Sequence, residues 1–166
     1  MLSFISEENY RMHLDYLNTL KLKASVIARA MTPESRGRRH RRADFDLVDR
    51  LRCEVALHGV YFNSFSEREY VRSDAVSKCF GSDKELLNEL LKRGMECRVG
   101  FVGVKGCSGG AFEIFANEDY RIDPKSIALA IDVSEHAYFY DYGFDKKKYL
   151  GRALSHLSLD KLDEFS

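Results

Sequence analysis

An aspartate and a histidine four residues apart, Asp132 and His136, are the pair in this sequence best suited to chemistry. They follow the short apolar run Ile127–Ile131, which is preceded by Pro124 and is typical of a buried strand. A carboxylate at the end of such a strand is costly unless it is paired or binds a metal. His136, one helical turn later, can converge with it on one interior point. The pattern also fits a helix N-cap followed by an ordinary half-buried histidine.

Two further histidines lie on predicted helices in the N-terminal part of the chain. His13 lies beside an apolar stripe that recurs at helical spacing from Tyr10 to Ala28. A single histidine in such a place is more often structural than a ligand. His58 continues the apolar face of a second predicted helix, with Glu54 one turn earlier on the same face. Since charged residues are rarely buried without a partner, Glu54 and His58 indicate a candidate site.

A predicted helical hairpin positions these histidines. Ser6, followed by two acids, predicts the start of the first helix, and Thr32-Pro33 predicts its end. The second helix is expected to begin at Asp44 or Asp46 and to end near Phe62. Its predicted apolar face has residues at helical spacing: Leu47, Leu51, Val55, His58 and Phe62. The two helices are expected to pack antiparallel with both histidines buried.

The remainder of the chain predicts a second lobe that contains a small sheet. Helices are expected at 74–79, from Ser82 or Asp83 to Met95, and at Phe144–Leu154. Strands are expected at Cys97–Lys105, Ala111–Ala116 and Ile127–Ile131, with the glycine-rich segment Gly106–Gly110 as a hairpin turn. The predicted fold class is α+β, with an N-terminal antiparallel helical hairpin and a three-stranded antiparallel sheet flanked by helices. We predict a hairpin lobe at 1–65 and an α/β lobe at 73–166.

The amino-acid composition limits the classes of partner that the protein is expected to bind. The 166 residues carry no net charge and are 45% hydrophobic, so a core is expected and no global field favours nucleic acid. No apolar run is long enough to span a bilayer, and no leader pattern opens the chain, so neither a membrane nor a signal peptide is expected. The four cysteines are scattered, which is typical of reduced thiols, and we expect a cytoplasmic protein.

The linker between the two predicted helices carries a basic run, Arg36–Arg42. This run could bind an anion or a nucleic acid, or it could be a solvated connection. We favour the connection, because no aromatic residue interleaves with the charges.

The C-terminal motif resembles that of the iron/manganese superoxide dismutase family. That family reads Asp-x-Trp-Glu-His-Ala-Tyr, and Asp132–Tyr138 matches every position except Ser134. The segment Leu57–Ser66 is similar to its second ligand region and includes Tyr61, and Ile5–Glu8 is similar to its N-terminus. The resemblance covers most of the chain.

The resemblance implies a function and a ligand set. It implies a metal held by His13, His58, Asp132 and His136, and the conversion of superoxide into oxygen and hydrogen peroxide. It implies one iron or manganese ion per subunit, and we favour iron. It also implies a homodimer with Glu135 near the interface. Three imidazoles and one carboxylate are a donor set that suits iron and manganese, and also zinc.

The chain departs from the family next to the metal. Where the family has a glutamine beside the metal-bound solvent, this chain has acids at both known locations, Glu54 and Glu118. An ionised carboxylate only accepts hydrogen bonds, whereas an amide also donates. Glu54 could lie beside the bound solvent, could itself be a ligand, or could face away.

Other family positions near the metal are also replaced. The gateway tyrosine aligns with Lys21, which could steer an anion, and the gateway histidine with Leu17. The tyrosine that reaches that histidine across the dimer aligns with Phe139. Four positions where the family has tryptophan hold smaller side chains: Ala56, Phe62, Phe101 and Ser134. We take Glu54, Lys21, Tyr61 and Glu118 as candidate catalytic residues.

Two other functions stay open at this point. One is a redox-metal protein of the same fold with different oxygen chemistry, suggested by the altered surroundings of the metal. The other is a non-catalytic descendant that binds a partner or RNA through Arg36–Arg42, although retention of all four implied ligands argues against it.

Overall fold

The structure is a computed structural model that describes residues 2–30, 40–66 and 73–165, and the side chains of all these residues except 40–44 and 165. Seven α-helices and three strands are found in these ranges: α1 Glu7–Ala30, α2 His40–Asn63, α3 Asp74–Phe80, α4 Asp83–Glu96, β1 Phe101–Gly106, β2 Phe112–Asn117, β3 Ile127–Asp132, α5 Glu135–Tyr142, α6 Lys146–Leu154 and α7 Lys161–Phe165. The helices that precede the sheet and those that flank it confirm the predicted α+β class.

Helix α1 begins where the sequence predicts. The Ser6 hydroxyl accepts a hydrogen bond from the Asn9 backbone N–H, which satisfies one of the free donors of the first turn. Glu7 and Glu8 lie in that turn, where acids complement the helix dipole. The buried face includes His13, Leu17 and the unpredicted Asn9. The Asn9 amide donates to Ala137 O, 3.2 Å away, which joins α1 to α5.

Helix α2 differs from the prediction at its start and on its apolar face. It begins at His40, four residues before Asp44, so His40–Arg42 of the basic run belong to the helix. Residues 36–39 lie outside the described part of the chain. Leu47 is 44% exposed and Val48 is buried instead. The buried face is centred on Leu57, His58 and Tyr61, because it packs on both α1 and β3.

The sheet is antiparallel with strand order β2-β1-β3, and the 106–110 segment is the predicted hairpin turn between β1 and β2. Strand β1 is shorter than predicted. Gly100, immediately before it, has a φ of +99°, and a Cβ there would lie 2.1 Å from Asn117 O. A glycine is therefore required at this bend. β3 is buried along its whole length and ends at Asp132.

The C-terminal segment packs back onto the end of the hairpin. The Ser158 backbone N–H donates to Ser64 O at 2.9 Å, and Phe65 pairs with Leu157 in an isolated bridge. Since residues 67–72 lie outside the described ranges, the predicted division at 65 and 73 stays a prediction. Within these ranges no helix is both long and apolar enough to cross a membrane.

Candidate metal centre

Asp132 is the last residue of β3 and is fully buried. Its Oδ1 accepts a hydrogen bond from the Ser134 backbone N–H at 2.9 Å. Its backbone carbonyl accepts one from the Tyr149 hydroxyl at 2.8 Å. These two bonds fix the strand end and the carboxylate, and they leave Oδ2 facing the interior.

His136 lies in the first turn of α5, immediately after this strand end. Its Nε2 is 2.8 Å from Asp132 Oδ2, and a quarter of its side chain is exposed. The spacing of four residues therefore does bring the imidazole and the carboxylate together, as the sequence predicts.

The hairpin places two more imidazoles at the same carboxylate oxygen. Nε2 of His13, from α1, lies 3.2 Å from Asp132 Oδ2, and Nε2 of His58, from α2, lies 3.3 Å from it. Both histidines are fully buried. His58 Nδ1 donates to the Glu54 backbone carbonyl at 2.8 Å, so the proton is on Nδ1 and the Nε2 lone pair points inward.

The four residues together have the geometry of a metal site. One donor atom from each lies within 4.8 Å of all the others, and His58 Nε2 is 3.4 Å from His136 Nε2. Two ligands bound at about 2.1 Å to one ion at a right angle lie about 3 Å apart. Asp132 Oδ2 and both ring nitrogens of His13 are buried without a hydrogen bond from any described residue. Buried oxygen and nitrogen atoms that lack hydrogen-bond partners and converge on one point are the atoms that a bound cation would coordinate.

The charges at this point also fit a cation. Burial favours a neutral Asp132, but the His136 charge and the contacts with all three imidazoles hold its pKa well below the ordinary value. Burial lowers the pKa of His13. Burial acts in the same direction on His58, but the Asp132 carboxylate raises its pKa. The cluster therefore encloses one ionised carboxylate, whose charge a metal ion would compensate.

Comparison with known families identifies the family to which the chain belongs. A family model described as iron/manganese superoxide dismutases, C-terminal domain, matches residues 69–164, more than half of the chain. The chain belongs to the iron/manganese superoxide dismutase family. This match confirms the family recognised from the sequence. A search of curated proteins gave no match.

The superoxide dismutase match covers one half of the centre. Asp132 and His136 lie within it, whereas His13 and His58 lie before it. Assignment of the two hairpin histidines therefore depends on the distances above and on the resemblance of short segments.

Glu54 is buried beside the four donors but is not one of them. Its Oε1 accepts a hydrogen bond from the Tyr16 hydroxyl at 2.8 Å. The Tyr16 ring stacks on His136, with centroids 4.0 Å apart. Burial, followed by the bond to Glu54, raises the pKa of Tyr16 above its ordinary value, so the phenol is protonated and is the donor.

Sequence reasoning missed Tyr16. It follows His13 by three residues and so shares a helix face with it, which is the signal that could have found it. The family spacing points instead to Leu17 and Lys21.

Tyr61 is fully buried against the ligands but does not reach their donor atoms. The centroid of its ring lies 5.0 Å from that of the His13 ring, and its hydroxyl oxygen is 3.3 Å from the Tyr149 hydroxyl oxygen. Since Tyr149 donates to the Asp132 carbonyl, Tyr61 supports both the hairpin and the strand end of the centre.

Lys21 and Glu118, the other candidate catalytic residues, are exposed and separate from the four donors. Lys21 lines a shallow cleft with Ser25 and Arg52. Glu118 accepts a hydrogen bond from the Arg98 backbone N–H at 2.8 Å. It lines a cleft of about 470 Å³ that reaches His136, the only partly exposed ligand of the four.

The four positions at which the family pattern has tryptophan lie in different surroundings in this structure. The rings of Phe62 and Phe101 pack 5.1 Å from His13 and His58, respectively. The Ser134 hydroxyl accepts from the Gly100 N–H at 2.9 Å and is buried. Ala56 is exposed on α2 and lies on the side away from the buried face.

Proposed function

We propose that this protein is a metal-dependent superoxide dismutase with altered surroundings of its metal. It would convert two superoxide anions and two protons into one oxygen molecule and one hydrogen peroxide. The observation that carries this proposal is the convergence of His13, His58, Asp132 and His136 in a chain that belongs to the family.

The residues present fit the group that the family implies. His13, His58, Asp132 and His136 would hold one iron or manganese ion. When bound, that ion would supply the one-electron exchange between its +3 and +2 states. Iron stays the favoured prediction, because the donor set alone suits both metals.

The chain's own residues prepare the site for an anion and for protons. Phe62 and Phe101 flank the buried imidazoles and exclude water from that side. The cleft beside His136 offers a route from solvent, with Arg98 at its edge as a positive charge. Tyr16 and Glu54 hold one exchangeable proton between the phenol oxygen and Oε1.

Exposed aromatic residues next to Glu135 support the proposed homodimer. Phe139 is 46% and Phe144 is 91% exposed, and their rings are 5.2 Å apart. Two copies could cover this apolar face. Analytical ultracentrifugation should show a dimer that Phe144→Ser weakens. A monomer at all concentrations would contradict the proposed assembly.

The test of the function combines metal analysis with superoxide decay. The protein is produced in iron-supplemented and in manganese-supplemented medium, the bound element is measured, and decay is followed by stopped flow. We expect close to one ion per chain and a decay rate that chelation removes and metal restores. A chain that binds neither metal, or a loaded chain that leaves superoxide decay unchanged, would contradict the proposal.

A second candidate function has one specific observation in its favour. Glu54, bonded by Tyr16, lies where a family member presents an amide donor. This change would suit a redox-metal protein with different oxygen chemistry, and bound metal without superoxide decay would support it. The cytoplasmic location stays a prediction from the cysteines.

A further inference from the structure

Tyr16 joins three elements at the edge of the metal centre. It is on α1, its hydroxyl reaches Glu54 on α2 at 2.8 Å, and its ring stacks on His136 of α5 at 4.0 Å. It also lies 5.7 Å from the ring of His58. One side chain therefore contacts ligands from both parts of the chain.

Glu54 depends on this hydroxyl. Glu54 is only 7% exposed, and among the described residues its side chain has Tyr16 as its one hydrogen-bond donor. A buried carboxylate without a donor is strongly disfavoured. The bond therefore determines where Oε1 points.

The orientation of the His136 imidazole depends on the Tyr16 ring. His136 is the one ligand whose side chain is partly exposed, so packing fixes it less than it fixes His13 or His58. The Tyr16 ring covers one face of the imidazole at stacking distance. Loss of the ring would free His136 to rotate away from Asp132.

We propose that Tyr16 is a positioning residue of the metal centre, fixing the Glu54 carboxylate through its hydroxyl and the plane of His136 through its ring. The inference rests on the proposed function, because it concerns the same centre. Tyr16 contributes no ligand atom, so it acts on the centre through these two residues.

Two substitutions separate the two contacts. Tyr16→Phe removes the hydroxyl and keeps the ring, whereas Tyr16→Leu removes both. Tyr10→Phe is the matched control, because Tyr10 is a partly buried tyrosine of the same helix that packs on Phe62. Its hydroxyl has no hydrogen bond to any described residue.

The first measurement is metal affinity, by competition with a chelator. Loss of an outer partner of a metal ligand weakens binding by roughly 10- to 100-fold. Since only the Tyr16 ring contacts one of the four donors, we expect this loss for Tyr16→Leu, whereas Tyr16→Phe, which keeps the ring on His136, and Tyr10→Phe should match wild type.

The second measurement is one that a general loss of stability would not change. Azide is titrated into the iron(III)-loaded protein, and binding is followed by absorption. A Glu54 carboxylate released by Tyr16→Phe can turn toward the ion and repel an anion, so the azide dissociation constant should rise by roughly tenfold. In a Glu54→Ala background Tyr16→Phe should have no further effect, because the acceptor is gone.

The outcomes distinguish the two proposals. A wild-type chain that binds neither metal overturns the proposed function and this inference with it. When the wild type binds metal, the inference alone is overturned if Tyr16→Leu keeps wild-type metal affinity or if Tyr16→Phe matches Tyr10→Phe in azide binding. Additive effects of Tyr16→Phe and Glu54→Ala on azide binding would also overturn it.

Discussion

The two halves of the proposed metal centre bring their residues together in different ways. Asp132 and His136 belong to one continuous segment, the end of β3 and the first turn of α5, so local spacing alone makes them neighbours. His13 and His58 are on separate helices. They meet only because α1 packs on α2 and both face the C-terminal lobe.

The family match is to a model of the C-terminal domain, so it includes Asp132 and His136 and does not test the hairpin. Glu54, which stands where the family pattern has an amide, lies in the hairpin. The unexpected Tyr16–Glu54 bond also lies in the hairpin. A local motif fixes a ligand pair by itself, whereas ligands supplied by helix packing can keep their places while the residues around them change.

The largest predicted effect tests whether both halves are needed. We expect His58→Ala from the hairpin and Asp132→Ala from the C-terminal half each to abolish metal binding, because each removes a donor from the same point. The metal content of the purified variants, measured by elemental analysis, checks this prediction.

His156→Ala is the matched control, because this histidine bonds to the Arg152 carbonyl away from the centre. It should retain wild-type metal content. If His58→Ala kept its metal while Asp132→Ala lost it, the C-terminal half alone would form the site, and the hairpin would not be needed for metal binding.

The parts of the fold that the sequence predicted correctly have local causes. The serine cap of α1, the glycine turn between β1 and β2, and the Asp132–His136 spacing each depend on residues a few positions apart. Hydrophobic periodicity and turn-forming residues predict such features directly.

The features that were missed have distant causes. The buried face of α2 is displaced from Leu47 to Val48, because α1 and β3 cover that side. The Tyr16 bond joins residues on two helices, so no window of sequence contains both. The predicted start of β1 at Cys97 was wrong, because Gly100 has a positive φ and bends the chain close against Asn117 O, and the strand begins only at Phe101.

The next prediction concerns the changed side chain in the hairpin. Glu54→Gln keeps an acceptor for Tyr16 and adds an N–H donor, as the family's amide does. We expect the dismutase rate to rise by roughly tenfold, within the range of outer-partner effects. Stopped-flow decay at equal metal content measures the rate.

Glu118→Gln is the corresponding change in the C-terminal half. Since Glu118 is exposed at the cleft and bonds to a backbone N–H, its substitution should change the rate much less. Equal effects of the two substitutions would show that the hairpin is no more altered than the other half.

A smaller effect is expected for Lys21. It lies two turns beyond His13, about 12 Å along the helix axis, which exceeds the screening length of about 8 Å at physiological salt. Lys21→Ala should therefore lower the apparent rate constant only at low ionic strength. The exposed Lys23 provides the control, and a deficit for Lys21→Ala that persists at high salt would place Lys21 in the catalytic path.

The smallest effect is expected at the surface of the C-terminal half, where Lys105 of β1 pairs with Glu113 of β2. The hydrogen bond from Lys105 lowers the pKa of Glu113 from its ordinary value of 4.5. A carboxyl pKa that is lower in the folded state stabilises the fold above the unfolded value, and this contribution is lost as pH falls through the folded value. Glu113→Gln should therefore lower the urea midpoint slightly at pH 7 and progressively less below pH 4.5, with metal content unchanged. A difference from wild type that grew on acidification would reverse the sign of this linkage, and a loss of metal would connect this surface to the centre.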